Sequence, residues 1–241
     1  WLTIKNSSDD TFIDPYYEQL QYIGDTRIEA LVAKYMTGDE GLFKKALEQF
    51  DQSRIPEGLT QSRYPSYIVQ IIPTYSLMWV NMLHDYLYYG NEPYFIKKFL
   101  PGMNSVLNWF IQKIDSTGLP TNLTWWNFTD WTDGFPNGIP PGADDSYSAN
   151  VSMQLLLALK NATEISKYFN ELDSFRKYEK LYKKLKKKIN EKFYDNKKNL
   201  FAETIDENIY SQHTNIFAIL SDAVDKPKQK ELMKKILNDK S

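Results

Sequence analysis

The chain has 241 residues with 29 Lys and Arg against 31 Asp and Glu, a formal net charge of −2, and it is 42% hydrophobic and 25% charged. These are ordinary globular proportions with enough apolar material for a sizeable core, and the charge balance gives no reason to expect a nucleic-acid partner. The absence of Cys excludes disulfides, thiolate nucleophiles and Cys-ligated metal sites, and two His leave little room for imidazole clusters.

From the N-terminus, Trp1 to Asp10 show neither a charged region nor a continuous apolar stretch, so no signal peptide is visible. No window reaches the roughly 18 apolar residues that a membrane span needs. The abrupt start at Trp1 and the end at Ser241 read as an excerpt of something longer, a single partial domain over 1–241. Localisation is left open between periplasmic, extracellular and cytoplasmic.

Helical periodicity begins after Gly24-Asp25, with Asp25 as the expected N-cap and Ile28, Leu31, Val32 and Tyr35 as the apolar stripe, ending at Thr37-Gly38. The next helix carries Leu42, Phe43, Ala46, Leu47 and Phe50 on one face and breaks near Arg54-Ile55-Pro56. A third is expected over 74–89, stopped by Gly90-Asn91, and a fourth over 92–114 with a kink at Pro101-Gly102. Residues 115–145 read as one long irregular connection, a length that is often functional. A fifth helix is expected over 145–169, apolar almost all round, and a sixth over 170–193 with the stripe Phe175, Tyr178, Tyr182, Leu185, Ile189, Phe193. Shorter helices over 211–223 and 227–237 complete about eight, in alternating buried and half-exposed pairs. The expected class is all-α, an α/α toroid or solenoid pattern with inner and outer helices.

The densest polar and aromatic segment runs from Asp14 to Asp25 and holds three carboxylates just before a helix start. A Glu18 carboxyl walled by Tyr rings would have its ionised form disfavoured, as a general acid working near neutrality requires, and a second, ionised carboxylate nearby would complete a glycosidase pair. The plainer alternative makes Asp25 an N-cap and Glu18 a solvated loop residue. In the loop Trp125-Trp126-Asn127-Phe128-Thr129-Asp130-Trp131, indole faces could carry the C–H face of a deoxy sugar while Asn127 and Asp130 take hydroxyl hydrogens; otherwise these Trp plug the mouth of the barrel. Trp79 reads equally as core and as pocket wall. His84 reads as a core residue, and the lysine run 183–188 as a solvated outer face.

The run Tyr16-Tyr17-Glu18-Gln19-Leu20-Gln21-Tyr22-Ile23-Gly24-Asp25-Thr26-Arg27 closely resembles the signature of the α-L-rhamnosidases, glycoside hydrolase family 78. The resemblance continues through Ser76-Leu77-Met78-Trp79, His84-Asp85-Tyr86, Phe128-Thr129-Asp130-Trp131 and Ser211-Gln212-His213-Thr214-Asn215, and so covers nearly the whole chain. It implies part of a six-hairpin catalytic domain, an incomplete (α/α)6 barrel, of an inverting hydrolase acting on terminal α-L-rhamnosyl residues, without metal or organic cofactor. It implies Glu18 as general acid, Asp14 and Asp25 as carboxylates that hold rhamnose hydroxyls, and Tyr22 in the place of a ring-stacking Trp. Trp79, Trp126, Asp130, Trp131 and His213 are the further candidates for sugar contact. In one departure, Asp14 directly precedes Pro15 where relatives have an extra residue.

The general base of such enzymes is a Glu downstream of the segment resembling Ser211 to Asn215, so it is expected beyond Ser241, with Phe201-Ala202-Glu203 read as a turn. The β domains and remaining helices of a parent protein would lie outside the chain, which alone is expected to turn over little or no substrate. Six hairpins need twelve helices, so apolar faces would be left at an open seam, and self-association there is a hypothesis to hold. The alternatives are another α/α-barrel glycosidase or lyase, and a non-catalytic helical carbohydrate-binding module.

Overall fold

The computed structural model describes residues 1–14 and 16–238; Pro15 of the signature and the last three residues lie outside the described residues. The chain divides into two compact units, Trp1–Trp109 and a second from Phe110 onward. Both are helical, as expected. The nine α-helices among the described residues include a short α1, Leu2–Asn6, that the sequence reading did not contain.

In the first unit, α2 (Ile23–Thr37), α3 (Gly41–Gln52) and α4 (Pro73–Tyr89) pack on one another. Helix α4 starts on Pro73, whose missing N–H costs nothing in a first turn, and it is buried nearly all round. Helix α3 buries the expected face of Phe43, Ala46, Leu47 and Phe50. Helix α2 departs from expectation. Its N-cap is Tyr22, leaving Asp25 exposed in the first turn, and its buried face is Ile23, Thr26, Glu29 and Ala30. The expected stripe is turned outward: Ile28 and Tyr35 are exposed, and Leu31 and Val32 half-exposed. The reason is ionic. Arg27 forks onto Asp85 of α4 at 2.6 and 3.3 Å, and that pair, with the small residues beside it, sets which side of α2 meets α4.

The turn between α2 and α3 is pinned by Glu40. Its buried carboxylate accepts from Lys34, from the Tyr86 hydroxyl at 2.5 Å and from the Asn91 amide at 2.6 Å. Burial pushes this carboxyl up, but the three donors outweigh burial and leave it below the ordinary range. The expected fourth helix is two pieces, a 3₁₀ helix Pro93–Phe99 and α5, Leu100–Gln112, because Pro101 fits the first turn of a new helix better than the interior of a continuing one. Gly102 cannot be replaced freely: an added Cβ would lie 2.9 Å from the Trp79 ring.

In the second unit, α6 (Ala149–Tyr168) pairs along its length with α7 (Leu172–Phe193). Helix α6 starts four residues later than expected because Ser148 caps it, accepting from Val151 N–H. Of the α7 stripe, Tyr178, Leu185, Ile189 and Phe193 are buried, and Phe175 and Tyr182 half-buried. A two-residue hairpin, β1 Tyr194–Asp195 with β2 Leu200–Phe201, leads to α8 (Gln212–Leu220), capped by Ser211, and then α9 (Lys226–Asn238). Lysines of the 183–188 run face outward and pair with Glu179, Glu191 and Asp225. No helix among the described residues is long and apolar enough to cross a membrane.

Replacing Glu40 by Ala strands Lys34 and removes the tie to α4, and it should cost about 3 kcal/mol in urea unfolding near pH 7. Because the folded protein holds this carboxyl below its unfolded value, the stability it contributes is present above roughly pH 4.5 and fades as pH falls through the folded value. The gap between wild type and variant should therefore close in acid. A gap that is small at neutral pH, or constant with pH, would contradict this account.

Candidate active site

The first unit gathers carboxylates around the start of α2. One oxygen of Asp14 accepts from the amides of Tyr16 and Tyr17 at 2.9 and 3.1 Å, which folds the loop into a tight turn carrying Glu18. Asp14 is thus partly committed to the backbone. The loop is anchored by Gln21, whose amide donates to Gln49 and to the Tyr64 carbonyl, and by the bonded pair of Tyr22 and Arg63 backbones. Gly24 lets Tyr75 come close, since a Cβ would sit 3.1 Å from its ring and the ring would have to give by a few tenths of an ångström.

Glu18 is exposed, and the expected aromatic wall is absent: Tyr16 and Tyr17 stack on each other, 74% and 86% exposed. Its carboxyl is still held above the ordinary value. Partial desolvation contributes most, then the charges of Asp14 and Asp25 and a hydrogen bond with Asp14, while the Arg63 guanidinium opposes them. An upward shift of this kind favours the protonated form that a proton donor needs. Tyr22 is buried. Its hydroxyl accepts from Arg63 at 2.8 Å and its ring meets Tyr75 edge-on, so little of the ring is free for a sugar.

Two members of this cluster were missed in the sequence. Arg63 lies 41 residues from Tyr22 with no local signal to connect them. Glu29 is buried one helical turn past Asp25, and its carboxyl is pushed up to about 7 by desolvation and by the charges of Asp25 and Asp14. Its spacing from Asp25 was the available clue. Trp79 is corrected from candidate pocket wall to core: it is fully buried, its indole N–H donating to the Leu47 carbonyl at 3.2 Å. His84, read as core, is half-exposed against Tyr88.

The second unit holds the aromatic loop. Trp126, Phe128 and Trp131 form one cluster, with ring centroids 4.8 to 6.0 Å apart. Trp126 is pinned through its N–H to the Asn137 carbonyl, while Trp131 remains 65% exposed. Asp130 accepts from the Trp131 amide and bonds His213 Nε2 at 2.8 Å, and His213 lies against Phe135. Asn127 is corrected: it is fully buried and donates to the Leu123 carbonyl and to Asp144, so it holds the loop rather than a sugar hydroxyl. A cavity of about 360 Å³ beside this loop is lined by Thr132, Asp133, Tyr210, Ser211 and His213 among others. Glu203 is fully buried, accepting from Ser211 at 2.5 Å while its backbone carbonyl holds the start of α6. Among the described residues no group of three or more acidic or His side chains is placed to hold a metal.

Helix pairs, a carboxylate cluster at a helix start and an exposed indole beside an Asp–His pair define a glycosidase-type α/α domain. Over residues 1–241 the chain matches the family described as the bacterial alpha-L-rhamnosidase 6 hairpin glycosidase domain, and it belongs to that family. Its fold is an incomplete six-hairpin toroid. Among solved structures it is similar to a family 78 rhamnosidase of Bacillus sp. GL1 (23% identity, TM-score 0.83, 94% of this chain and 24% of that one). It is also similar to a rhamnosidase from Klebsiella oxytoca with rhamnose bound (19%, 0.85, 99% and 46%) and to an alpha-L-rhamnosidase from Dictyoglumus thermophilum (19%, 0.68, 92% and 24%). The chain thus spans less than half the length of each. No curated protein matches it.

Since Arg63 is the charge that draws Glu18 down, Arg63→Met should move Glu18's titration to higher pH. Carboxyl-carbon NMR of ¹³C-Glu-labelled protein reads this directly, and an unmoved midpoint would show that Arg63 does not act on Glu18.

Proposed function

We propose that the protein containing this chain is an α-L-rhamnosidase that hydrolyses terminal α-L-rhamnosyl residues by single displacement with inversion. The whole-chain family match carries this reading, supported by the upward shift that partial desolvation and the charges of Asp14 and Asp25 give Glu18. The rhamnose in the Klebsiella oxytoca structure supports rhamnose as the sugar.

In this reading Glu18 protonates the glycosidic oxygen as the bond to the anomeric carbon breaks. Asp25, exposed in the first turn of α2, accepts hydrogen bonds from sugar hydroxyls with its charge favoured by the helix N-terminus. Asp14 lends its remaining oxygen. Within the second unit, taken by itself, the exposed Trp131 indole is suited to the apolar face of a deoxy sugar, with the Asp130–His213 pair as polar contacts beside that ring. Inversion needs a second carboxylate roughly 6.5–9.5 Å from the acid to activate water. Glu203 is a poor candidate, since it is buried and engaged by Ser211. We assign the base to a carboxylate outside these 241 residues, and expect the isolated chain to turn over little or no substrate.

With an aryl α-L-rhamnoside and the full-length protein, Glu18→Gln should lower kcat by about 10²–10⁴-fold with little change in KM. The wild-type rate should fall as pH rises through the elevated Glu18 value, because only the protonated acid donates. Full activity of the Gln variant, or preference for a different glycoside, would refute the assignment. Trp131→Ala should act mainly on KM, raising it about tenfold, which is the loss of roughly 1.4 kcal/mol of stacking.

A further inference from the structure

Glu29 has no part in the mechanism above, yet it lies inside the same cluster. It sits on the buried face of α2, 8% exposed, four residues after Asp25, and its Oε2 is buried with no hydrogen-bond partner. The neighbouring Thr26 hydroxyl is likewise buried without one. The charges that act on the Glu29 carboxyl are those of Asp25 on its own helix and Asp14 on the preceding loop, both negative. The cations of the surrounding elements are engaged elsewhere. Arg27 is taken by Asp85 of α4, Lys34 by Glu40, and Lys44 and Lys45 of α3 by Glu92 and Asp10, while His84 of α4 lies against Tyr88. An ionised Glu29 would be a buried, unpaired charge one helical turn from another of the same sign, an arrangement penalised both by desolvation and by i,i+4 repulsion.

We propose that Glu29 is a positioning residue for sugar binding, neutral beneath Asp25 in the binding-competent state, and that its ionisation displaces Asp25 and weakens the hold on the sugar hydroxyls. The inference rests on the rhamnosidase reading and deepens it by assigning control of affinity to a group that touches neither the sugar nor the reacting atoms. The raised value near 7 puts this change in the physiological range. The sign follows from linkage. A carboxyl raised on folding stabilises the fold below its unfolded value, and that stability is lost as pH rises through about 7.

The test is a rhamnose titration of full-length wild type and Glu29→Gln at pH 6 and pH 8, with thermal unfolding of both over the same range. The Kd of wild type should rise several-fold from pH 6 to pH 8, while the Gln variant, locked neutral, keeps the pH 6 value at both. The kcat limb set by Glu18 should persist in the variant, a split between binding and turnover that loss of packing would not produce. Parallel Kd profiles in the two proteins would overturn the proposal. If the Gln variant does not fold, wild type alone decides, because a Kd flat from pH 6 to 8 overturns it equally. Absence of any rhamnose binding by wild type at pH 6 would instead sink the rhamnosidase reading, and this inference with it.

Discussion

Asp14, Glu18, Asp25 and Glu29 gather about the start of α2, and their like charges, with desolvation, push the carboxyls of Glu18 and Glu29 upward. The chemistry proposed for the first unit follows from how the surroundings of the four differ. Asp25 sits at the helix N-terminus, where unpaired amides favour a negative charge. Asp14 receives two backbone N–H bonds on one oxygen. Glu18 and Glu29 have no such support, and their carboxyls are the raised pair. Environment thus treats four carboxyl groups differently, supporting Asp14 and Asp25 with backbone amides or a helix N-terminus and holding Glu18 and Glu29 above the ordinary value.

That sorting depends on how α2 is held. The Arg27–Asp85 fork and the Glu40 junction are polar ties, and with them the helix buries Ile23, Thr26, Glu29 and Ala30 while Ile28 and Tyr35 face out. A helix seated by its hydrophobic stripe alone would expose Glu29 and lose the desolvation that raises its carboxyl. The signature segment therefore has a structural role beside the proposed chemical one: Arg27 and Gly24 within it serve packing, and Glu18 and Asp25 are the residues of the proposed site.

The aromatic loop of the second unit follows a different logic. Its backbone carries little regular structure, and Asn127, buried among carbonyls and Asp144, substitutes for the missing secondary structure. This leaves Trp131 free to present a face, while Trp126 and Phe128 brace it from behind. Asp130 is shared between the Trp131 amide and His213, so the indole and the polar pair are held by one side chain.

The all-α class, the positions of α3, α4, α6 and α7, the irregular character of 115–145 and the closeness of Glu18 to Asp25 were legible in the sequence, while the roles of that pair belong to the proposal. Each rests on local periodicity or on a contiguous motif. The facing of α2, the burial of Trp79 and the role of Asn127 were not, because each is decided by partners far along the chain: Asp85 for Arg27, Leu47 for Trp79, Asp144 for Asn127. The upward shift of Glu18 was anticipated, but its cause was not. The Tyr rings expected to shield it point into solvent, and neighbouring carboxylates act with partial burial to raise it. Sequence by itself settles which side chains are available and how they are spaced along a helix. Only tertiary packing decides which of them lose water and which charges they then face, since desolvation and Coulomb forces depend on distances through space rather than along the chain.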